Sequence, residues 1–318
     1  MKFWFALGLL LMQATVLAEE ERKAIFILLD GIPADVLERV ETPALDDIAS
    51  QGGYTRAYVG GDPTGPSRSP TVSAVAYQSL LTGTWANKHN VYDNAVTAPD
   101  YSYWDIFRIA KHARPALRTA IFSTWEDNRT KLLGDGLPAA GGRKLDYIAD
   151  GYEHDVKNFP HDPVSLYIRN IDRRVAREAA SLISKVAPDL SWVYLQYTDD
   201  IGHAHGDGEL MDLAVRFADE QVGYIWNAVT ERQRRHGEEW LVIVTTDHGR
   251  DSATGRSHGG QSPRERTIWI VTSYPALNAN FNAGAAIVDI LPSIATYLRL
   301  TIPQDVASQL DGRSFLYP

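Results

Sequence analysis

The sequence predicts an α/β fold: a largely parallel central sheet with helices on both faces. Three observations carry this. Apolar runs of strand length recur along the chain at wide spacing. Most are apolar at odd and even positions alike, as strands buried on both faces must be. Helix-like stretches lie between them, which suits crossover connections rather than hairpins.

The elements follow in order. Residues 1–18 stand apart: Lys2 gives a basic start, Phe3 to Met12 is apolar, and Val16-Leu17-Ala18 precedes a suitable cut. This reads as a secretory signal peptide cleaved after Ala18, too short to span a membrane. Residues 19–318 then form a single domain. Strands are expected at Lys23–Leu29, Tyr54–Val59, Leu117–Phe122, Trp192–Tyr197, Trp240–Thr246 and Thr267–Thr272. Helices are expected at Thr42–Gln51, Asp172–Val186, Gly208–Gln233 and Ala286–Leu300. Residues 124–165, rich in Gly, Pro, Asp and aromatics, read as an irregular insertion over one end of the sheet.

Composition narrows the function. The chain has no cysteine, so no disulfide supports it and a catalytic nucleophile must be a hydroxyl. A net charge of −9 excludes the basic face that a nucleic-acid duplex or an anionic membrane requires. It leaves room for a small anionic substrate, because a metal centre can dominate its local field. The expected setting is periplasmic or secreted; oligomeric state is not legible.

Sites in open α/β sheets gather at the carboxyl ends of strands. Asp30 ends the first apolar run in "FILLDG", where it could also simply initiate a turn. In "YTDDIGHAHG", Asp199 and His203 are four apart and can share one side of a helical turn. Asp200 and His205 are rivals there. "VTTDHGR" ends on Asp247 and His248, with His258 following in "SHGG". Neighbours within a strand point to opposite faces, so this pair can converge only beyond the strand end. Carboxylates and imidazoles together suit Zn²⁺ better than Mg²⁺ or Ca²⁺. Six such ligands make two sets of three.

Ser73, heading a helical run that stops at Gly83, offers the hydroxyl. It reads as a helix N-cap, and also as a nucleophile where a helix N-terminus stabilises anions. Thr71 is the next hydroxyl.

In this order the motifs "ILLDG", "TPALDDIASQG", "SLLTG", "DDIGHAHG", "TTDHG", "SHGG", "DILPSIATYL" and "DGRSF" resemble the alkaline phosphatase superfamily. The resemblance is to its nucleotide pyrophosphatase/phosphodiesterase branch. It implies an alkaline phosphatase-like catalytic domain, two zinc ions and a small phosphate ester as substrate. By position it implies Asp30, Asp247, His248 and the Ser73 hydroxyl around one zinc, and Asp199, His203 and His258 around the other. It implies that Ser73 forms a phosphoseryl-type intermediate and that Asn94, otherwise a turn residue, hydrogen-bonds a phosphoryl oxygen. Ser73-Ala-Val-Ala stands where the diesterase branch has Thr-Phe-Pro-Asn, and Asn90 replaces a glycine. The alternatives are a phosphomonoesterase, a sulfatase-like hydrolase and a non-catalytic zinc- or glycan-binding relic. Val75 and Tyr77 occupy the positions where sulfatases carry Pro and Arg.

Overall fold

The computed structural model describes residues 22–317. The leader expected at residues 1–18 lies outside them. Among the described residues no helix is long and apolar enough to cross a membrane.

Seven strands form one sheet in the order β2-β7-β6-β1-β5-β3-β4. They are β1 (Arg22–Leu29), β2 (Gly53–Tyr58), β3 (Thr119–Ser123), β4 (Tyr147–Ala149), β5 (Leu190–Leu195), β6 (Glu239–Thr245) and β7 (Thr267–Thr272). The central strand β1 runs parallel to β5 and β6. Both antiparallel pairings belong to β7, with β2 and with β6. The sheet is therefore mixed but mostly parallel.

The side-chain period of two divides the core. Ala24, Phe26 and Leu28 pack with α2 (Ser73–Thr82), α3 (Ile106–Ala113) and α7 (Ile290–Tyr297) on one face. Ile25, Ile27 and Leu29 pack with α1 (Pro43–Gln51), α4 (Leu166–Lys185) and α6 (Glu209–His236) on the other. Burying both faces explains why β1, β3, β5 and β6 read as unbroken apolar runs.

Three expectations need correction. Residues 124–165 are mostly irregular but supply β4, which pairs with β3 at the sheet edge. β4 is three residues long, with Ile148 exposed between half-buried Tyr147 and Ala149, too short for a strand signal in the sequence. The last predicted helix starts as a 3-10 turn, Ile287–Asp289, before α7. Ser73 is the first residue of α2 rather than its cap: extended Val72 holds the cap position, and no side chain caps the helix.

The strand ends place the site. Asp30 follows β1, Asp247 and His248 follow β6, and Asp199 and His203 lie on α5 (Tyr197–His205) just past β5. The start of α5 is fixed by Asp172, which is buried on α4. Its carboxylate accepts the backbone N–H groups of Gln196 at 3.0 Å and Tyr197 at 2.9 Å. Those donors have no partner within the helix, so a buried acceptor there both satisfies them and sets the angle of α5.

Candidate active site

The geometry starts at His248, which is fully buried. Its Nδ1–H donates to the Gly249 carbonyl at 3.0 Å, which leaves Nε2 as a bare lone pair. Around that nitrogen lie Asp247 Oδ2 at 3.2 Å, Ser73 Oγ at 3.3 Å and Asp30 Oδ1 at 3.6 Å.

Each of the two carboxylates divides its oxygens. Asp30 Oδ2 accepts from the buried phenols of Tyr77 and of Tyr194, the latter at 2.6 Å. Asp247 Oδ1 accepts from the Gly31 N–H at 2.8 Å. Asp30 Oδ1 and Asp247 Oδ2 are buried with no hydrogen-bond partner. Leaving even a neutral buried acceptor unsatisfied costs about 1–3 kcal/mol, and a charged one more. Two such oxygens converging on one bare imidazole nitrogen fit a cation, which is the group the donor set suits.

Asp199, His203 and His258 bring ligand atoms within 4.8 Å of one another, and so do Asp30, Asp199 and His248. Asp199 thus stands between the two clusters. His203 Nε2 lies 3.3 Å from Asp199 Oδ2. His258 Nδ1–H donates to the Thr71 carbonyl at 2.9 Å, turning its Nε2 toward that of His203 at 3.0 Å. The rings of His248 and His258 stack at 3.7 Å.

The electrostatics match this crowding. Burial, then the charges of Asp247 and Asp199, hold the Asp30 carboxyl well above its usual range. Burial pushes Asp247 up to about 7, aided by Asp199 and opposed by the Gly31 N–H. Burial pushes His248 down, helped by His258. Burial also raises Asp199, but His203, Arg250 and His248 outweigh it and hold that carboxyl below the usual range. Without a cation, the inner cluster of Asp30, Asp247 and His248 favours protonated carboxyls and a neutral imidazole.

A cavity of about 360 Å³ opens over Ser73, lined by Asp30, Tyr77, Asn94, Trp125, Asp127, Tyr194, Gln196 and Asp199. Asn94 Oδ1 accepts the Ala74 N–H at 3.0 Å, so its amide NH₂ is left for the cavity. Ser73 and Asn94 therefore meet at the N-terminus of α2. The rival residues lie elsewhere. Asp200 accepts from Ser165 Oγ at 2.8 Å and Gln196 Nε2 at 3.0 Å, and His205 belongs to neither cluster. The Thr71 hydroxyl donates to the Gly260 carbonyl at 2.9 Å and accepts the Gly259 N–H at 3.0 Å. It ties down the His258 loop.

Sequence reasoning missed Tyr77 and Tyr194. The one available signal was a phenol within each of two mostly apolar stretches, "SAVAYQSLL" and "LSWVYL".

Comparison with known proteins gives this arrangement a context. An ectonucleotide pyrophosphatase/phosphodiesterase of Caenorhabditis elegans is 26% identical over 227 residues, covering 71% of this chain. The chain spans about a quarter of that relative's length, 25%. Murine ectonucleotide pyrophosphatase/phosphodiesterase 5, solved in complex with AMP, superposes with a TM-score of 0.61 at 15% identity. That match covers 89% of this chain and 96% of the murine one. The phosphonate monoester hydrolase of Agrobacterium radiobacter gives a TM-score of 0.63 at 16% identity, covering 92% of this chain and 76% of its own. At these identities the two structures show a shared fold. The family described as type I phosphodiesterase/nucleotide pyrophosphatase matches residues 24–266, most of the chain. The chain therefore belongs to that family, within the alkaline phosphatase superfamily.

Proposed function

We propose that the protein is a zinc-dependent phosphodiesterase that hydrolyses a small phosphate diester or pyrophosphate through a phosphoseryl-type intermediate on Ser73. Asp30, Asp247, His248 and the Ser73 hydroxyl would hold one zinc ion; Asp199, His203 and His258 would hold the other. Bound there, the metals would supply Lewis acidity and lower the pKa of a coordinated hydroxyl. Ser73 Oγ, giving its proton to solvent, attacks phosphorus in line. The P–O bond to the leaving alkoxide or phosphate breaks and that oxygen takes up a proton. Water then adds at phosphorus, the Ser73 Oγ–phosphorus bond breaks and Ser73 regains its proton. The Asn94 amide donates to a non-bridging oxygen, and the N-terminus of α2 favours the negative charge that develops beside it. Tyr77 and Tyr194 hold Asp30 so that Oδ1 stays turned toward His248.

One observation favours a diester over a monoester: no lysine or arginine lines the cavity. A monoester carries a second negative charge, which needs a further cation at its outer oxygens. The nearby cations are held in ion pairs. Lys131 pairs with Asp127 at 2.8 Å and Arg129 with Asp150 at 2.6 Å. Arg250 points inward to Asp199.

We also read residues 19–318 as one catalytic unit, exported behind the leader at residues 1–18. The test of the function is a substrate panel with zinc supplied: bis-p-nitrophenyl phosphate, p-nitrophenyl phosphate, a phosphonate monoester and p-nitrophenyl sulfate. The expected order of kcat/KM puts the diester first and the sulfate last. A monoester turned over faster than the diester would overturn the assignment.

A further inference from the structure

Arg250 lies two residues beyond His248 and is completely buried, a rare place for a guanidinium unless every donor is used. Its Nε donates to the Gly31 carbonyl at 3.0 Å and its Nη1 to the Arg256 carbonyl at 3.2 Å. Its Nη2 donates to the Asp199 carbonyl at 3.0 Å and to Asp199 Oδ1. Gly31 adjoins Asp30, Arg256 precedes His258 by two residues, and Arg250 itself follows His248. One side chain thus joins the four segments that carry the metal-ligating candidates.

Two glycines make the space. A Cβ at Gly202 would sit 2.2 Å from Arg250 Cζ, and one at Gly31 would sit 2.7 Å from Nη2. Gly31 also has a φ of +65°, which suits glycine.

We infer that Arg250 is a positioning residue that fixes Asp199 as a one-oxygen ligand of the Asp199/His203/His258 cluster, and that this cluster, preorganised by Arg250, is still the weaker of two metal sites. This rests on the metal reading above. The inner cluster offers two carboxylates, and the partners recorded for their other oxygens are neutral: two phenols for Asp30, the Gly31 N–H and the Thr246 hydroxyl for Asp247. A cation bound there would face both carboxylates. The outer cluster offers one carboxylate, held on one oxygen by Arg250, plus two imidazoles. It has one carboxylate fewer than the inner cluster. Solvent reaches it too, since the His203 side chain is half-exposed while that of His248 is buried. Asp199 keeps Oδ2 for the His203 side because Oδ1 is held by Arg250.

The test is zinc titration of the metal-free protein against a chromophoric chelator. The wild type should bind zinc in two steps, the second weaker by on the order of tenfold or more given the charge difference. His203→Ala should delete only the weaker step. Arg250→Met should leave the tight step in place and weaken the other by a further factor of about ten. Arg250→Lys, which keeps the charge but not the fork, should recover part of that loss. Two equal steps in the wild type overturn the asymmetry. An outer step unchanged or tightened in Arg250→Met overturns the positioning role. No zinc binding by the wild type overturns the metal reading instead. Should Arg250→Met fail to fold, a crystal structure of the zinc-loaded wild type decides. Asp199 Oδ1 on Arg250 and Oδ2 on zinc is expected; two-oxygen ligation, or Arg250 turned into the cavity, refutes the proposal.

Discussion

His203 Nε2 and His258 Nε2 face each other at 3.0 Å across 55 residues of sequence. Because His258 spends its Nδ1–H on the Thr71 carbonyl, its Nε2 is a lone pair, and only a proton or a metal can sit between the two rings. The zinc-loaded protein should therefore contain two zinc ions per chain, and His258→Ala no more than one. Elemental analysis of both proteins after gel filtration checks this. A wild type that holds calcium or magnesium and no zinc would contradict it.

Asp30 and Asp247 should cost the metal-free protein stability as pH rises from about 4 to about 7, while buried His248, shifted down, contributes the opposite slope below 6.5. Burial pushes Asp247 up to about 7 from 3.8, and Asp30 shifts the same way. Between the unfolded and folded pKa values the native state then binds more protons than the unfolded chain, so unfolding free energy falls as pH rises. Above about 7 the Asp247 share of that loss is complete. Zinc would replace those protons, so the loaded protein should show less of the decline. Asp172, also raised to about 7 by burial, adds a decline that zinc does not relieve. The quantity to compare is the change in Tm between pH 5 and pH 7.5, with EDTA and with zinc. Equal changes in the two forms would refute the coupling.

Asn94→Ala should lower kcat by roughly 10²-fold, the usual effect of losing one donor to a developing oxyanion. Asn94 is exposed and its one recorded bond is to the Ala74 N–H, so Tm and zinc content should barely move. Normal turnover with a lowered Tm would make it a turn residue only.

Much of this site could be read in advance because its ligands follow strands that announce themselves. The runs ending at Leu29 and Thr245 are apolar on both parities, so Asp30, Asp247 and His248 were placed at strand ends without a structure. Strand direction was not legible: β7 looks like the parallel strands in composition, and only its pairing shows that it runs against both neighbours. The start of α4 was placed six residues late, at Asp172 instead of Leu166, because Ser165 precedes the helix with a φ of 56° and no side-chain cap. Arg250 stands two residues after His248 in the sequence, but its role depends on space left by Gly31 and Gly202. No local pattern encodes a hole made by residues so distant in sequence. Tyr77 and Tyr194 were hidden likewise, since each reads as an ordinary core aromatic until Asp30 is placed between them.

The central claim is that the Ser73 hydroxyl performs the chemistry, and one measurement tests it most directly: turnover of bis-p-nitrophenyl phosphate by zinc-loaded Ser73→Ala beside the wild type. Ser73 is the first residue of α2 and caps nothing, so alanine, the best helix former, should leave the fold intact. The account predicts that nearly all turnover disappears while the zinc content still reads about two per chain. A Ser73→Ala protein that keeps near-normal turnover would contradict it.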